Sequence, residues 1–148
     1  MEKETATLKG HINLKLYDEN GKLKSEVDKD NVITTAGKQY LATWLAAASQ
    51  ASPFMQYMAL GTGTAAAQAS DTTLDTETGS RVAGSLSSST SIWTNQTTFG
   101  PGISTGGITE AGIFSANTSG TMMARQTFAV QNKLAGDTIV FTWNITIS

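Results

Sequence analysis

Hydrophobic residues along much of this chain recur at every second position, the period of a strand with one buried face. Ile12, Leu14 and Leu16 alternate with Asn13, Lys15 and Tyr17. Asp18-Glu19-Asn20-Gly21 follows as a turn, because Asn-Gly readily takes the φ > 0 conformations of a hairpin. Lys22–Val27 then reads as the returning strand and Val32-Ile33 as a further short one. The period changes once. Tyr40, Leu41, Trp44, Leu45 and Ala48 repeat at helical spacing behind Thr34 or Thr35 as cap, which predicts a helix over about 35–49, broken by 49–53. Its apolar stripe is assigned to the core on ordinary burial statistics. Beyond it the text returns to strands and turns. A buried strand is expected over 54–60, a loop from Gly61 to Ser70, and a brief helical turn capped by Asp71. Further strands are expected near 81–86, 91–99, 107–115, 121–130 and 137–147. In the last, Ile139, Phe141, Trp143, Ile145 and Ile147 face one way, and Val140, Thr142, Asn144 and Thr146 the other.

Short strands separated by Gly, Ser and Asn turns predict a mainly β chain: an antiparallel, jelly-roll-like β-sandwich with one α-helix and a charged N-terminal hairpin or arm. At 148 residues the chain is long enough for a substantial core. Charge sharpens the division. Thirteen charged residues fall in the first 30 positions and nine in the remaining 118, which suggests an arm over 1–34 and a sandwich body over 35–148. A hairpin of that size needs something to pack on. One register can be read directly. With 116–119 as a turn, Ser115 faces Gly120 and Glu110 faces Arg125, an opposed pair expected to act as a structural fastener.

Composition narrows the chemistry. A net charge of −2 argues against a nucleic-acid surface, and the absence of cysteine removes disulfides, thiolate catalysis and Cys-ligated zinc. The charged start lacks a secretory leader, and no run suits a membrane span, so synthesis in the cytoplasm is expected. His11 is the sole histidine and reads as a surface residue. No G-x-S-x-G elbow occurs, and Gly61-Thr62-Gly63-Thr64 lacks the spacing and lysine of a phosphate loop. Asp71, Asp75 and Glu77 form the one carboxylate cluster of the body; caps and a solvated turn explain it better than a weak cation site. The sequons at Asn95, Asn117 and Asn144 carry no weight without a leader. Trp44 and Trp143 belong to apolar stripes, leaving Trp93 as the exposed candidate for a sugar-binding surface. With no acid, base and nucleophile to assemble, no enzyme, cofactor or metal is expected.

Two segments carry a resemblance. Tyr57-Met58-Ala59-Leu60-Gly61-Thr62-Gly63-Thr64-Ala65, then Asp71-Thr72-Thr73-Leu74 and Arg81, form the first. The second is Thr109-Glu110-Ala111-Gly112-Ile113-Phe114, then Gly120–Arg125 and Phe128, running on through Lys133 and Gly136-Asp137-Thr138 to Trp143–Ile147. Together they resemble virion structural proteins of tailed bacteriophages, most of all head decoration (cement) proteins. The resemblance implies a non-enzymatic homo-oligomer, commonly a trimer, bound to the major capsid protein on the outer capsid surface. Neither nucleic acid nor membrane is expected as a partner. Residues 1–30 would lie on the capsid or a neighbouring subunit by strand addition, with His11, Ile12, Leu14, Leu16 and Tyr17 as candidate contacts. A tail fibre, tip or baseplate protein engaged in host attachment is the alternative in the same group.

Overall fold

The computed structural model describes residues 3–50 and 53–148. Nine antiparallel strands form one nearly closed sheet, with a single helix against it. In chain order the elements are β1 Leu8–Tyr17, β2 Leu23–Ile33, α1 Thr35–Ala46, β3 Tyr57–Gly61, β4 Glu77–Ala83, β5 Ser85–Ser89, β6 Ile92–Phe99, β7 Gly106–Phe114, β8 Met122–Lys133 and β9 Thr138–Ile147. Their order across the sheet is β4-β3-β7-β8-β2-β1-β9-β6-β5.

Closure follows from two corners. β4 and β5 stand at opposite ends of the strand order yet are separated in sequence by Gly84 alone, so the chain itself carries one edge round to the other. A Cβ at Gly84 would fall 1.9 Å from Asn95 Oδ1, so only glycine fits this corner. The second corner is the end of β2, where Val32 pairs with Arg125 and Ile33 with Ala124. Elsewhere β2 and β8 are linked by side chains: Lys29 Nζ donates to the Thr127 carbonyl (2.9 Å), Gln126 Nε2 to the Asp30 carbonyl (2.7 Å), and Ser25 bonds Gln131.

The alternating segments pair as their periods require. Ile12 lies opposite Trp143, Leu14 opposite Phe141 and Leu16 opposite Ile139, stacking two apolar faces across β1 and β9. Phe141 and Trp143 stack at 5.4 Å, and Trp143 Nε1 donates to Asn31 Oδ1 at 3.0 Å. This places β1 at the middle of the sheet. The charged hairpin expected over 1–34 forms as β1 and β2, but it is not an arm apart from the body: the inner face of β1 is core, Val27 and Ile33 of β2 pack with it, and most of the charged side chains of the two strands are exposed.

Other boundaries move. The expected 22–27 and 32–33 strands merge into one continuous strand, β2, which starts at Leu23. The 54–60 strand starts later, at Tyr57, and the 81–86 strand divides at Gly84 into β4 and β5. No helical turn forms at 71–74, because Asp71 Oδ2 accepts from the Gln68 N–H (2.9 Å) and from an arginine. Helix α1 is capped by Thr34, whose Oγ1 accepts from the Gly37 N–H (2.9 Å), but it ends at Ala46 because Ala47 is extended. Ala48 is thus outside it, and residues 51–52 of the expected break lie outside the described residues.

Candidate functional site

The loop from Thr62 to Thr76 is held to the sheet by one buried ion pair. Glu110 and Arg125 are 0 % and 1 % exposed. The register is offset by two from the sequence expectation, with Arg125 opposite Gly112 and Glu110 opposite Thr127. Both side chains remain on one face, because an even shift preserves the side-chain period. They meet diagonally, Arg125 Nε and Nη2 reaching Glu110 Oε2 at 3.0 and 2.9 Å. Glu110 also accepts from the N–H groups of Gly63 (3.1 Å), Asp75 (3.1 Å) and Thr76 (2.8 Å). Arg125 donates to the Ala65 carbonyl (2.9 Å) and to Asp71 Oδ2 (2.8 Å), and Asp75 lies 3.2 Å from Nη2. Burial alone would lower the Arg125 pKa, but the bonds to Glu110 and Asp71 outweigh it and the net shift is upward.

In this arrangement the carboxylates of the 71–77 cluster are engaged by arginines. Asp71 and Asp75 turn to the Arg125 guanidinium, and Glu77 grips Arg81 through two 3.0 Å bonds. Among the described residues no carboxylate and histidine cluster suited to a metal occurs. Arg81 in turn stacks 3.5 Å over the Phe114 ring and donates to the carbonyls of Ala116 (2.9 Å) and Ser119 (2.7 Å), fixing the β7–β8 turn. Lys133 is likewise buried and donates to the Gly100 carbonyl (2.8 Å); desolvation lowers its pKa. Each of these charges holds a turn or loop in place.

The five candidate contacts on β1 separate into two faces. Ile12, Leu14 and Leu16 are buried in the core and are unavailable to a partner, which corrects that expectation. His11 and Tyr17 lie on the outer face and keep partial exposure. His11 Nδ1 bonds Asp30 Oδ1 at 2.8 Å and Nε2 bonds Asp28. The bond to Asp30 leads in raising its pKa above the ordinary 6.5; burial opposes it, and the bond to Asp28 adds to the rise. Asp28, bonded by Asn13 and His11, is lowered.

A different feature marks the opposite side of β1's start. Leu8, Leu41, Trp44, Leu45, Pro53, Phe54, Trp93, Met123, Ile145 and Ile147 enclose an open apolar groove of about 420 Å³ between α1 and the ends of β1, β6 and β9. Phe54 is its hub, 5.3 Å from Trp44 and 6.0 Å from both Tyr40 and Trp93 by ring centroid. Leu45 is 67 % exposed and Ile147 48 %. The helical stripe read as core is therefore half core: Tyr40 packs inward, whereas Leu41, Trp44 and Leu45 wall this groove. Trp93 meets Phe54 edge-on at 74° and is not an open platform. The pattern of the stripe carried no signal for this, since an unfilled groove and a filled core use the same residue types.

The fold and groove define a mainly β, single-helix protein whose one end is apolar and open. Comparison with family models, curated proteins and solved structures found no match to this chain.

Proposed function

We infer that this chain is a non-enzymatic structural component of a tailed-phage virion: a decoration protein that binds the major capsid protein on the outside of the shell, as a homo-oligomer, and stabilises it. The observation that carries the reading is the open apolar groove, because exposed apolar surface of this kind marks a face that is covered in an assembly. The buried charges support it by their use, each being consumed in holding a loop or turn. In this reading the nearly closed sheet is a jelly-roll-like sandwich, its layers joined at Gly84 and at Val32–Ile33. A rigid body of this sort adds buried surface and main-chain bonding at subunit joints, with no chemical step.

The alternative, a tail-associated protein engaged in host attachment, is favoured by the outer face of β6 and β9. There Thr94 bonds Asn144 (2.8 Å) and Gln96 bonds Thr142 (3.2 Å), giving a polar surface of hydroxyls and amides. The test is the copy number per purified particle, by quantitative mass spectrometry against the major capsid protein. Copies comparable to the capsid protein support decoration. A handful would move the protein to the tail, and its absence from particles would overturn both readings.

A further inference from the structure

His11 lies between two carboxylates on the outer face of the β1–β2 hairpin. It stands opposite Asp30 in the ladder and diagonal to Asp28. Its two ring nitrogens are divided between them, Nδ1 bonding Asp30 Oδ1 at 2.8 Å and Nε2 bonding Asp28 Oδ1. An ionised carboxylate only accepts, and a neutral imidazole has one N–H and one bare lone pair. Both bonds therefore coexist only while the ring carries its second proton. Once that proton leaves, one carboxylate faces a lone pair, and that contact breaks.

The two carboxylates are not equally placed to leave. Asp28 keeps a second donor, Asn13 Nδ2 at 3.2 Å. The Asp30 carboxylate has no other partner among the described residues, and its side chain is 94 % exposed. Asp30 also lines a polar cleft of about 320 Å³ together with Lys9 of β1 and Lys38 of α1. Lys9 shares the outer face with His11 and is diagonal to Asp30, a spacing that long side chains bridge. Neither lysine forms an ion pair among the described residues. The other neighbours of the ring do not compete for Asp30. Asn144 faces it from β9, Lys15 lies beyond Asn13 opposite Glu26, and Lys29 reaches away to the Thr127 carbonyl of β8.

We propose that His11 and Asp30 form a proton-operated switch: the protonated ring holds the Asp30 carboxylate, and the neutral ring releases it to the ammonium groups of Lys9 and Lys38 in the cleft. The exchange changes both the cleft and the helix beside it. In the acid form the cleft presents two lysines without a counter-charge, and Lys38, in the first turn of α1, is free of the hairpin. In the alkaline form Asp30 offsets that charge and ties α1 to β2. The raised pKa of His11 agrees in sign, since the form with both bonds is the protonated one. Nothing in the switch depends on the apolar groove or on what the protein assembles with.

NMR titration of the His11 ring in the full chain tests this, in the wild type, Asp30→Asn, the double variant Lys9→Gln/Lys38→Gln, and all three changes combined. The three positions are exposed, so far-UV circular dichroism should match the wild type throughout. Removing both lysines takes away the partners of the released carboxylate. It should favour the protonated ring about two- to fivefold, the range of an exposed ion pair. With Asp30→Asn already in place, the same removal should have no effect. Direct repulsion between the lysines and the ring would act equally in both backgrounds, so equal effects, or no effect in either, overturn the switch. The ε-methylene signals of Lys9 and Lys38 give a second reading. In the wild type they should step with the His11 midpoint, and Asp30→Asn and His11→Gln should each abolish that step. Lysine signals that pass through the His11 midpoint unchanged in the wild type also overturn the switch.

Discussion

Replacing Glu110 with Gln removes one charge and two acceptor lone pairs while keeping the side chain's size, so it isolates the electrostatics of the loop anchor. In the native protein this fully buried carboxylate receives two bonds from Arg125 and three from the backbone N–H groups of Gly63, Asp75 and Thr76. The amide's oxygen can satisfy part of that set, but its NH₂ group must face donors. Arg125 keeps Asp71 and Asp75 as partial partners, yet it remains buried beside a neutral group. Breaking a buried pair by neutralising one partner costs about 3–5 kcal/mol. That is a large share of a typical total stability of about 5–15 kcal/mol. For a chain of this length it corresponds to a fall in melting temperature of roughly 6–20 °C. Calorimetry of the wild type and Glu110→Gln measures it, and hydrogen exchange locates it, since the amides of Gly63, Asp75 and Thr76 should lose protection first. A variant melting within about 2 °C of the wild type, with those three amides still protected, would refute the reasoning.

Three further outcomes are expected. Gly37→Ala, which in an exposed helix would stabilise by up to about 1 kcal/mol, should instead destabilise, because the new Cβ would lie 2.6 Å from Met123 Cα; denaturant unfolding gives the sign. Deleting residues 1–30 should abolish the cooperative melting transition, because β1 and most of β2 form the middle of the sheet, as circular dichroism of the truncated chain would reveal. The His11 ring should titrate above 6.5, as followed by its NMR shifts. Its contribution to stability is fully present below that ordinary value and disappears as pH rises through the raised native pKa, so the wild type and His11→Gln should converge in melting temperature on the alkaline side.

The strand content was legible in the sequence because alternation is a local property. Ile12, Leu14 and Leu16, and Ile139 to Ile147, declare a buried face whatever they pair with, and the structure sets those two stripes against each other. Thr34 as a cap and Asn20-Gly21 as a turn were readable for the same reason: their bonds close within a few residues. Even the meeting of Glu110 with Arg125 survived a wrong register, because a shift of two residues leaves both on one face. What tertiary structure alone decided involves distances between segments far apart in the chain. Charge density marked 1–34 as distinct, yet strand order made it central, since a solvated outer face and a core-facing inner face coexist on a strand such as β1. Asp71 looked like a helix cap until Arg125, 54 positions away, claimed it. Leu41, Trp44 and Leu45 read as core, and they became the wall of a groove because no other segment of the described chain fills the space beside them. Residue type determines what a side chain prefers to contact, and the path of the rest of the chain determines whether that contact is supplied from within.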